Sequence, residues 1–164
     1  MKRTALATLL FLMIAITFLA CDTKKSELAN EKLAVKFTRE VLRGDYQIVT
    51  TTELKKWIDE KKPMIIVDTM PYEKSYKKNH IPGAAQILFP IKEVETLGAV
   101  KKQDLEKILG TDKNQRVVFY CGFTKCARSH NGAMWARKLG YTNVYRYPAG
   151  IVGWKEAGHK TSSL

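Results

Sequence analysis

Two cysteines in one short stretch are the residues of this chain whose types and spacing best suit covalent chemistry. Cys121 ends the apolar run Arg116-Val-Val-Phe-Tyr-Cys121, and Cys126 follows in the same basic loop, after four intervening residues. The pattern predicts a strand, a loop and then a helix that begins at Ser129. Loop N–H groups, the helix N-terminus and the loop cations would each favour a thiolate, so we predict that the pKa of Cys121 is lowered. The alternative is a buried structural cysteine at a strand end.

Strands and helices are expected to alternate along the rest of the chain, which predicts an α/β fold with a central parallel sheet of about five strands and helices on both faces. Ligands bind at the carboxyl ends of strands in such sheets, and Asp68 and Cys121 both lie at predicted strand ends. Thr51 or Thr52 is expected to cap the helix that runs to about Glu60. Strands are expected at residues 47–49, 64–68, 84–88, 117–120 and 144–147, and helices at 27–42, 52–60, 71–77, 101–109, 129–139 and 150–156.

Size and charge limit the classes of partner. The chain has 164 residues, enough for one domain with a core, and a net charge of +12 from 28 basic and 16 acidic residues. Such a balance favours anionic partners, either small sulfur or phosphorus oxyanions or acidic lipid surfaces. The lysines are dispersed as pairs and no nucleic-acid-binding module is recognisable, so we expect no nucleic-acid partner. The three histidines are scattered, and no metal site or cofactor is expected.

The N-terminus reads as an export signal. Lys2 and Arg3 precede an apolar stretch from Ala5 to Ala20, and Cys21 follows. This resembles a bacterial lipoprotein signal, whose cysteine becomes the lipid-bearing N-terminus. We therefore expect a signal peptide at 1–20, lipid attachment at Cys21, and a cell-membrane location facing the periplasm or extracytoplasmic side. The alternative is an uncleaved anchor helix, and the choice between inner and outer membrane stays open.

Four stretches occur together in the remaining chain: Val67-Asp68-Thr69, His80-Ile-Pro-Gly-Ala84, Tyr120-Cys121 through Arg128-Ser129, and Gly140-Tyr-Thr-Asn-Val-Tyr145 with Gly150 and Trp154. Jointly they resemble the rhodanese-like sulfurtransferase family over roughly residues 46 to 159. This resemblance implies a rhodanese-like domain at 46–164, and the N-terminal pattern adds the signal peptide at 1–20 and a lipid-anchored tether and N-terminal helix at 21–45.

The chain departs from the family pattern at three places. Met70 stands where many single-domain members have arginine, and Asn79 stands where glycine precedes the histidine. Arg128 lies seven residues after Cys121 rather than five, so the loop is two residues longer. Because loop length sets the size of the cradle, a bulkier sulfur donor is expected.

By resemblance, the expected enzyme is a thiosulfate- or polysulfide-type sulfurtransferase, or a sulfane-sulfur carrier. Cys121 would take sulfur from a small anionic donor as a persulfide and pass it to a thiol or a protein acceptor. Cys126, the second expected catalytic residue, would resolve the persulfide or else be a small loop residue without chemistry. Asp68 and His80 would support the site structurally. The expected substrate-binding loop comprises Gly122, Phe123, Thr124, Lys125, Ala127, Arg128 and Ser129.

Residues near the loop are expected to have supporting or ordinary roles. Arg128 could hold an anionic substrate or brace the loop by pairing with a carboxylate such as Asp68, and the resemblance favours bracing because it places these two residues near one another. His130 is expected at the surface, and Arg146 is taken as an ordinary strand residue.

Two other functions stay open. One is a thiol-disulfide or arsenate-type reductase that uses both cysteines, and the other is a non-catalytic binding module of a respiratory complex.

Overall fold

The computed structural model describes residues 26–164, so the signal peptide and Cys21 lie outside the described residues. The first helix within these described residues, α1, spans Glu27–Gly44. The chain divides into two units after Lys36, and the described part of the first unit is the solvent-exposed beginning of α1. No helix in the described part of the chain is long and apolar enough to cross a membrane.

The second unit, from Phe37 to Leu164, is built on a five-stranded sheet in which every pairing is parallel. The strand order is β1-β5-β4-β2-β3, so the predicted parallel sheet of about five strands is confirmed. The strands are β1 (Gln47–Ile48), β2 (Ile65–Asp68), β3 (Ala85–Gln86), β4 (Val117–Tyr120) and β5 (Val144–Tyr147).

Helices cover the sheet on both faces, as the alternation predicted. Successive residues of β4 enter two separate cores: Val117 and Phe119 join one buried cluster, and Val118 and Tyr120 join the other. A strand buried on both faces reads as a continuous apolar run, which is why β4 was found with its correct bounds. The helices after α1 are α2 (Thr51–Asp59), α3 (Ala99–Leu109), α4 (Arg128–Lys138) and α5 (Gly150–Glu156).

The start of α2 corrects the predicted cap. The N-cap is Thr50, whose side chain accepts a hydrogen bond from the backbone N–H of Glu53, while the Glu53 carboxylate accepts one from the backbone N–H of Thr50. This reciprocal pair is a capping box, so the expected cap at Thr51 or Thr52 is wrong. Because Thr50 lies three residues before a glutamate, it can form both bonds.

The segment predicted as a charged helix at 71–77 is a single π-helical turn, Tyr72–Tyr76. Pro71 lies directly before this turn, and its carbonyl oxygen accepts hydrogen bonds from the backbone N–H groups of Ser75 and Tyr76. The turn leads to His80, whose backbone pairs with Ser162 near the C-terminus. The polypeptide after β2 is thereby held beside the end of the chain.

Candidate active site

The two cysteines lie at the carboxyl edge of the sheet. Cys121 is the first residue after β4, and the loop from Gly122 to Ala127 leads into α4. The register of the neighbouring strands places Asp68, the last residue of β2, opposite Tyr120. Asp68 and Cys121 therefore lie at one edge of the sheet, as the order of elements predicted.

The sulfur of Cys121 faces oxygen atoms in the interior. Cys121 is 1 % exposed. Its Sγ lies 3.1 Å from the carbonyl oxygen of Cys126, 3.2 Å from Ser129 Oγ and 3.9 Å from the carbonyl oxygen of Phe123. Burial raises the pKa of Cys121 well above its usual value, and the neighbouring Cys126 raises it further, while Ser129 opposes the rise. The expected lowering of the pKa of Cys121 is therefore wrong.

Cys126, rather than Cys121, has the surroundings that were expected to favour a thiolate. It is half-buried, and the neighbouring Cys121 thiol lowers its pKa to about 6. Burial opposes this shift, but the backbone N–H groups of Arg128 and Gly122 and the charge of Arg128 support it. N–H donors at a helix start and a nearby guanidinium are the groups that stabilise a thiolate. The surroundings of the two sulfur atoms therefore favour the thiolate at Cys126 over the thiolate at Cys121.

Arg146 of β5 supports this loop from inside the protein, a role that sequence reasoning missed. The side chain is fully buried. Its Nη2 donates to the carbonyl oxygen of Cys126 at 3.0 Å, and its Nε donates to Ser129 Oγ at 3.0 Å. Its Nη1 donates to Glu40 Oε2 at 2.7 Å and to the Tyr46 hydroxyl at 3.1 Å. One guanidinium therefore fixes both loop groups that contact the Cys121 sulfur most closely.

The hydrogen bonds continue from Tyr46 to His130 and to the surface. Tyr46 Oη lies 2.9 Å from His130 Nδ1, and His130 Nε2 lies 3.0 Å from Glu93 Oε2. His130 is 1 % exposed, so the expected surface position is wrong. Burial lowers the pKa of His130 although Glu93 opposes the shift, which favours the neutral ring. Glu93 also accepts a hydrogen bond from Arg43 of α1 at 2.8 Å.

Arg128 and Asp68 do not pair. Arg128 Nη1 donates to the carbonyl oxygen of Phe89, so it braces the segment after β3 and the expected ion pair is wrong. Asp68 Oδ1 accepts a hydrogen bond from the backbone N–H of Met70 at 2.8 Å, while its Oδ2 has no hydrogen-bond partner among residues 26–164. Burial raises the pKa of Asp68 to about 6. The Asp68 carboxyl group therefore holds the turn after β2 through the Met70 N–H, and it does not pair with Arg128.

The last helix contacts the loop through its backbone. The N–H of Ile151 donates to the carbonyl oxygen of Cys121 at 2.9 Å, and the N–H of Val152 donates to that of Gly122 at 3.0 Å. Gly150 makes this approach possible, because its φ is +62° and a Cβ there would lie 2.2 Å from the Cys121 oxygen. The contact turns these two carbonyl oxygens toward α5 and away from the sulfur atoms.

The other predicted site residues divide between the surface and the interior. Phe123 and Lys125 are exposed and Thr124 is half-buried, whereas Gly122, Ala127 and Ser129 are buried. His80 is 5 % exposed; its Nδ1 lies 2.9 Å from the carbonyl oxygen of Tyr76, and its ring stacks on that of Tyr76. No cluster of His, Cys, Asp and Glu that could hold a metal ion occurs among residues 26–164.

Comparisons with known proteins agree with this architecture. The family model described as rhodanese-like domain matches residues 50–157. No curated protein sequence matches the chain. Among solved structures, the BH2092 protein from Bacillus halodurans is 21% identical with a TM-score of 0.58, covering 79% of this chain and 86% of its own.

Two other similar structures carry names that state an activity. Thiosulfate sulfurtransferase from Pseudomonas aeruginosa is 20% identical with a TM-score of 0.61, and the match covers 80% of this chain but 22% of that one. The polysulfide-sulfur transferase homodimer from Wolinella succinogenes is 17% identical with a TM-score of 0.55, covering 82% of this chain and 92% of that one. At these identities the likeness shows the fold, and the family match shows that this chain belongs to the rhodanese-like domain family.

Proposed function

We propose that this protein transfers sulfane sulfur, as a sulfurtransferase or a polysulfide carrier, and holds the sulfur as a cysteine persulfide in the loop between β4 and α4. The observation that carries the proposal is the pair of unlike thiols at the carboxyl edge of the sheet. Cys126 is half-buried with its pKa lowered to about 6, and Cys121 is buried beside it, with its Sγ 3.1 Å from the Cys126 carbonyl oxygen. A nucleophilic sulfur with a proton source beside it suits chemistry at a sulfur–sulfur bond.

The loop supplies what a persulfide needs without a cofactor. The terminal sulfur of a persulfide is anionic, and the backbone N–H groups at Gly122 and Arg128 can stabilise it as they stabilise the thiolate. The exposed Lys125 attracts an anionic donor to the mouth of the loop. Thiosulfate and polysulfide are the donors that the names of the two similar transferases suggest. The acceptor is a small thiol or a partner protein.

We propose further that the domain works outside the cytoplasm, tethered to the membrane by a lipid on Cys21. The support is the sequence alone: a charged start, an apolar stretch and a cysteine at its end. Expression of the full chain in bacteria, followed by separation of membranes and soluble protein, tests this. The wild type is expected in the membrane fraction at a mass that includes lipid, and Cys21→Ala is expected without lipid. An unprocessed N-terminus in the wild type would contradict the anchor.

Intact-protein mass spectrometry tests the sulfur chemistry. The full chain, purified in detergent and reduced, is exposed to thiosulfate or to polysulfide in separate reactions. We expect a gain of about 32 Da for each sulfur atom bound, removed by added thiol. The variant in which both Cys121 and Cys126 are serine is the control and is expected to gain nothing. A wild type that gains no mass from either donor refutes the proposal.

A thiol-disulfide or arsenate-type reductase is the second candidate, and the presence of two free thiols, Cys121 and Cys126, in one loop favours it. Neighbouring thiols, of which one is ionised, can close into a disulfide when an oxidising substrate is supplied. A reductase would lose about 2 Da on turnover without ever gaining sulfur. The same mass measurement therefore separates the two functions.

A further inference from the structure

We infer that the sulfur donor of this site is a polysulfide, which carries its transferable atom at the end of a sulfur chain, rather than thiosulfate, which carries it on a sulfonate group. The inference rests on the proposed sulfur-transfer function and names the class of donor for the same site. It follows from what the structure places around the cysteine loop, where the cations are engaged with protein groups and the neighbouring side chains are apolar.

The cations closest to the cysteine loop are held by other partners. Arg128, at the start of α4, donates through Nη1 to the carbonyl oxygen of Phe89. Arg146 is fully buried, and each of its three nitrogen atoms donates a hydrogen bond inside the protein, including one to the Glu40 carboxylate. Lys125, the basic residue of the loop itself, is exposed, and one exposed ammonium holds an anion only weakly in water. A sulfonate, whose charge is spread over three oxygen atoms, is bound well by several charged or forked donors directed at it together.

Apolar side chains pack beside the loop instead. Cys121 belongs to one buried cluster with Met70 and Ile151, and Cys126 packs against that cluster. Met70 lies close to the loop, because a Cβ added at Gly122 would be 3.4 Å from the Met70 Sδ. A thioether is polarizable and packs well against other soft, apolar atoms. The inner atoms of a sulfur chain are of this kind, whereas a sulfonate placed there would lose its water without gaining hydrogen bonds.

The outer part of the loop extends this apolar surface to the solvent. Phe123 is 53 % exposed, and its carbonyl oxygen lies 3.9 Å from Cys121 Sγ, so residue 123 borders both the solvent and the reacting sulfur. A sulfur chain can therefore lie against the Phe123 ring with its far, charged end in water beside Lys125. The two extra residues of the loop suit a donor that is longer than thiosulfate.

The transfer step balances without an external oxidant. The Cys121 thiol first gives its proton to solvent, and its thiolate attacks the terminal sulfur of a tetrasulfide dianion. A sulfur–sulfur bond forms on Cys121, the donor's adjacent sulfur–sulfur bond breaks, and trisulfide leaves with the electron pair of that bond. A thiolate and a dianion become a persulfide anion and a dianion, so the total charge and the number of sulfur atoms are unchanged.

Loading rates with the two donors test the inference. The full chain, reduced and in detergent, is mixed with sodium tetrasulfide or with thiosulfate, and the gain of about 32 Da for each sulfur atom is followed over time by intact-protein mass spectrometry. Each rate is divided by the rate of the same donor with free cysteine, which removes the difference in intrinsic reactivity. We expect the normalised rate with tetrasulfide to exceed that with thiosulfate by about ten-fold or more.

A variant with a cation at the exposed position tests the physical reason. Phe123→Arg is expected to raise the normalised rate with thiosulfate by about ten-fold, because it supplies a forked donor next to the reacting sulfur. Phe123→Gln removes the ring without adding charge, and this matched control is expected to give no such rise. Urea unfolding checks that both variants remain folded.

Equal normalised rates for the two donors in the wild type would overturn the inference while leaving the transfer function intact. No rise with Phe123→Arg, or an equal rise with Phe123→Gln, would show that the missing cation is not what limits thiosulfate, and would also overturn it. If neither donor adds sulfur to the wild type, the transfer function itself is refuted, and the class of donor is refuted with it.

Discussion

The buried pair of Arg146 and Glu40 gives the sharpest test of how the loop is supported. Replacing Arg146 by methionine keeps an unbranched apolar stem but removes the cation that lies 2.7 Å from the Glu40 carboxylate. The two side chains are 1 % and 6 % exposed, so the carboxylate cannot turn to water. Removal of one partner from a buried ion pair costs about 3–5 kcal/mol. The loop also loses the donors to the Cys126 carbonyl and to Ser129.

A double-mutant cycle separates the lost ion pair from lost packing. Arg146→Met, Glu40→Leu and the double variant are unfolded in urea at pH 7, and each free energy of unfolding is obtained by linear extrapolation. The double variant is expected to lose less stability than the sum of the single variants, by about 2 kcal/mol or more, because it leaves no buried charge. Arg43→Met is the matched control. Arg43 pairs with Glu93 at the surface, so its loss is expected to cost less than about 1 kcal/mol.

Reactivity of the thiols supplies the functional measurement in the same variants. Without Arg146 the Cys126 carbonyl is free to turn, so the arrangement that separates the two thiols is weakened. In the wild type we expect iodoacetamide to react faster with the half-buried Cys126 than with the buried Cys121, and we expect Arg146→Met, but not Arg43→Met, to reduce this difference in rate. The reasoning fails if Arg146→Met costs less than about 1 kcal/mol or if the cycle is additive. If Arg146→Met does not fold while the double variant does, the coupling is confirmed by that difference.

Three further substitutions test other parts of the structure by urea unfolding. The pKa of Asp68 rises from 3.8 to about 6 on folding, so its charge destabilises the folded state above pH 6 and has no effect below pH 4. Asp68→Asn is expected to raise the free energy of unfolding by up to about 3 kcal/mol at pH 8 and not at pH 4. An increase independent of pH would show that it does not come from the buried charge. Gly150→Ala is expected to lower the free energy of unfolding by at least about 2 kcal/mol more than Gly83→Ala does. Both glycines have positive φ, but of the two only Gly150 would bring an added Cβ against backbone atoms. Equal losses would argue against the close approach. Thr50→Ala is expected to lower the free energy of unfolding by about 1 kcal/mol, and Thr52→Ala is expected to leave it almost unchanged. The reverse order would place the helix cap at Thr52.

Regular elements with strong local patterns were predictable from the sequence. The bounds of β4, β5 and α5 were found because each is a short run with an unbroken pattern between turn residues. The parallel sheet followed from the alternation of elements. The π-helical turn was misread as an ordinary helix, because composition does not distinguish hydrogen-bond spacings.

The environment of the two sulfur atoms could not be predicted in the same way. A short loop that follows a strand has N–H groups and carbonyl oxygens in equal number, and the sequence does not say which of them face a given side chain. Here backbone contacts with α5 and with Arg146 orient the carbonyl groups, and both contacts come from residues distant in the chain. The pKa of Cys121 was therefore predicted in the wrong direction.

Arg146 itself was overlooked because an arginine between two tyrosines in a strand suggests a face turned to solvent. Its strand, β5, lies between β1 and β4, where both faces of the sheet are covered. A charged residue in such a strand requires a buried partner, and that rule could have flagged it. Its partner Glu40 is 106 residues away, beyond any local pattern.

The position of Glu40 has a practical consequence for how the domain is delimited. The family match begins at residue 50, but Arg146 is held by Glu40 and Tyr46, both of which precede that boundary. A shortened chain beginning at Thr50 would keep both cysteines and every strand except β1. It would nevertheless bury the Arg146 guanidinium without two of its hydrogen-bond acceptors, Glu40 and Tyr46. The C-terminal end of α1 is thus part of the same unit as the loop that holds the cysteines, and a shortened protein that keeps this support must begin upstream of Glu40.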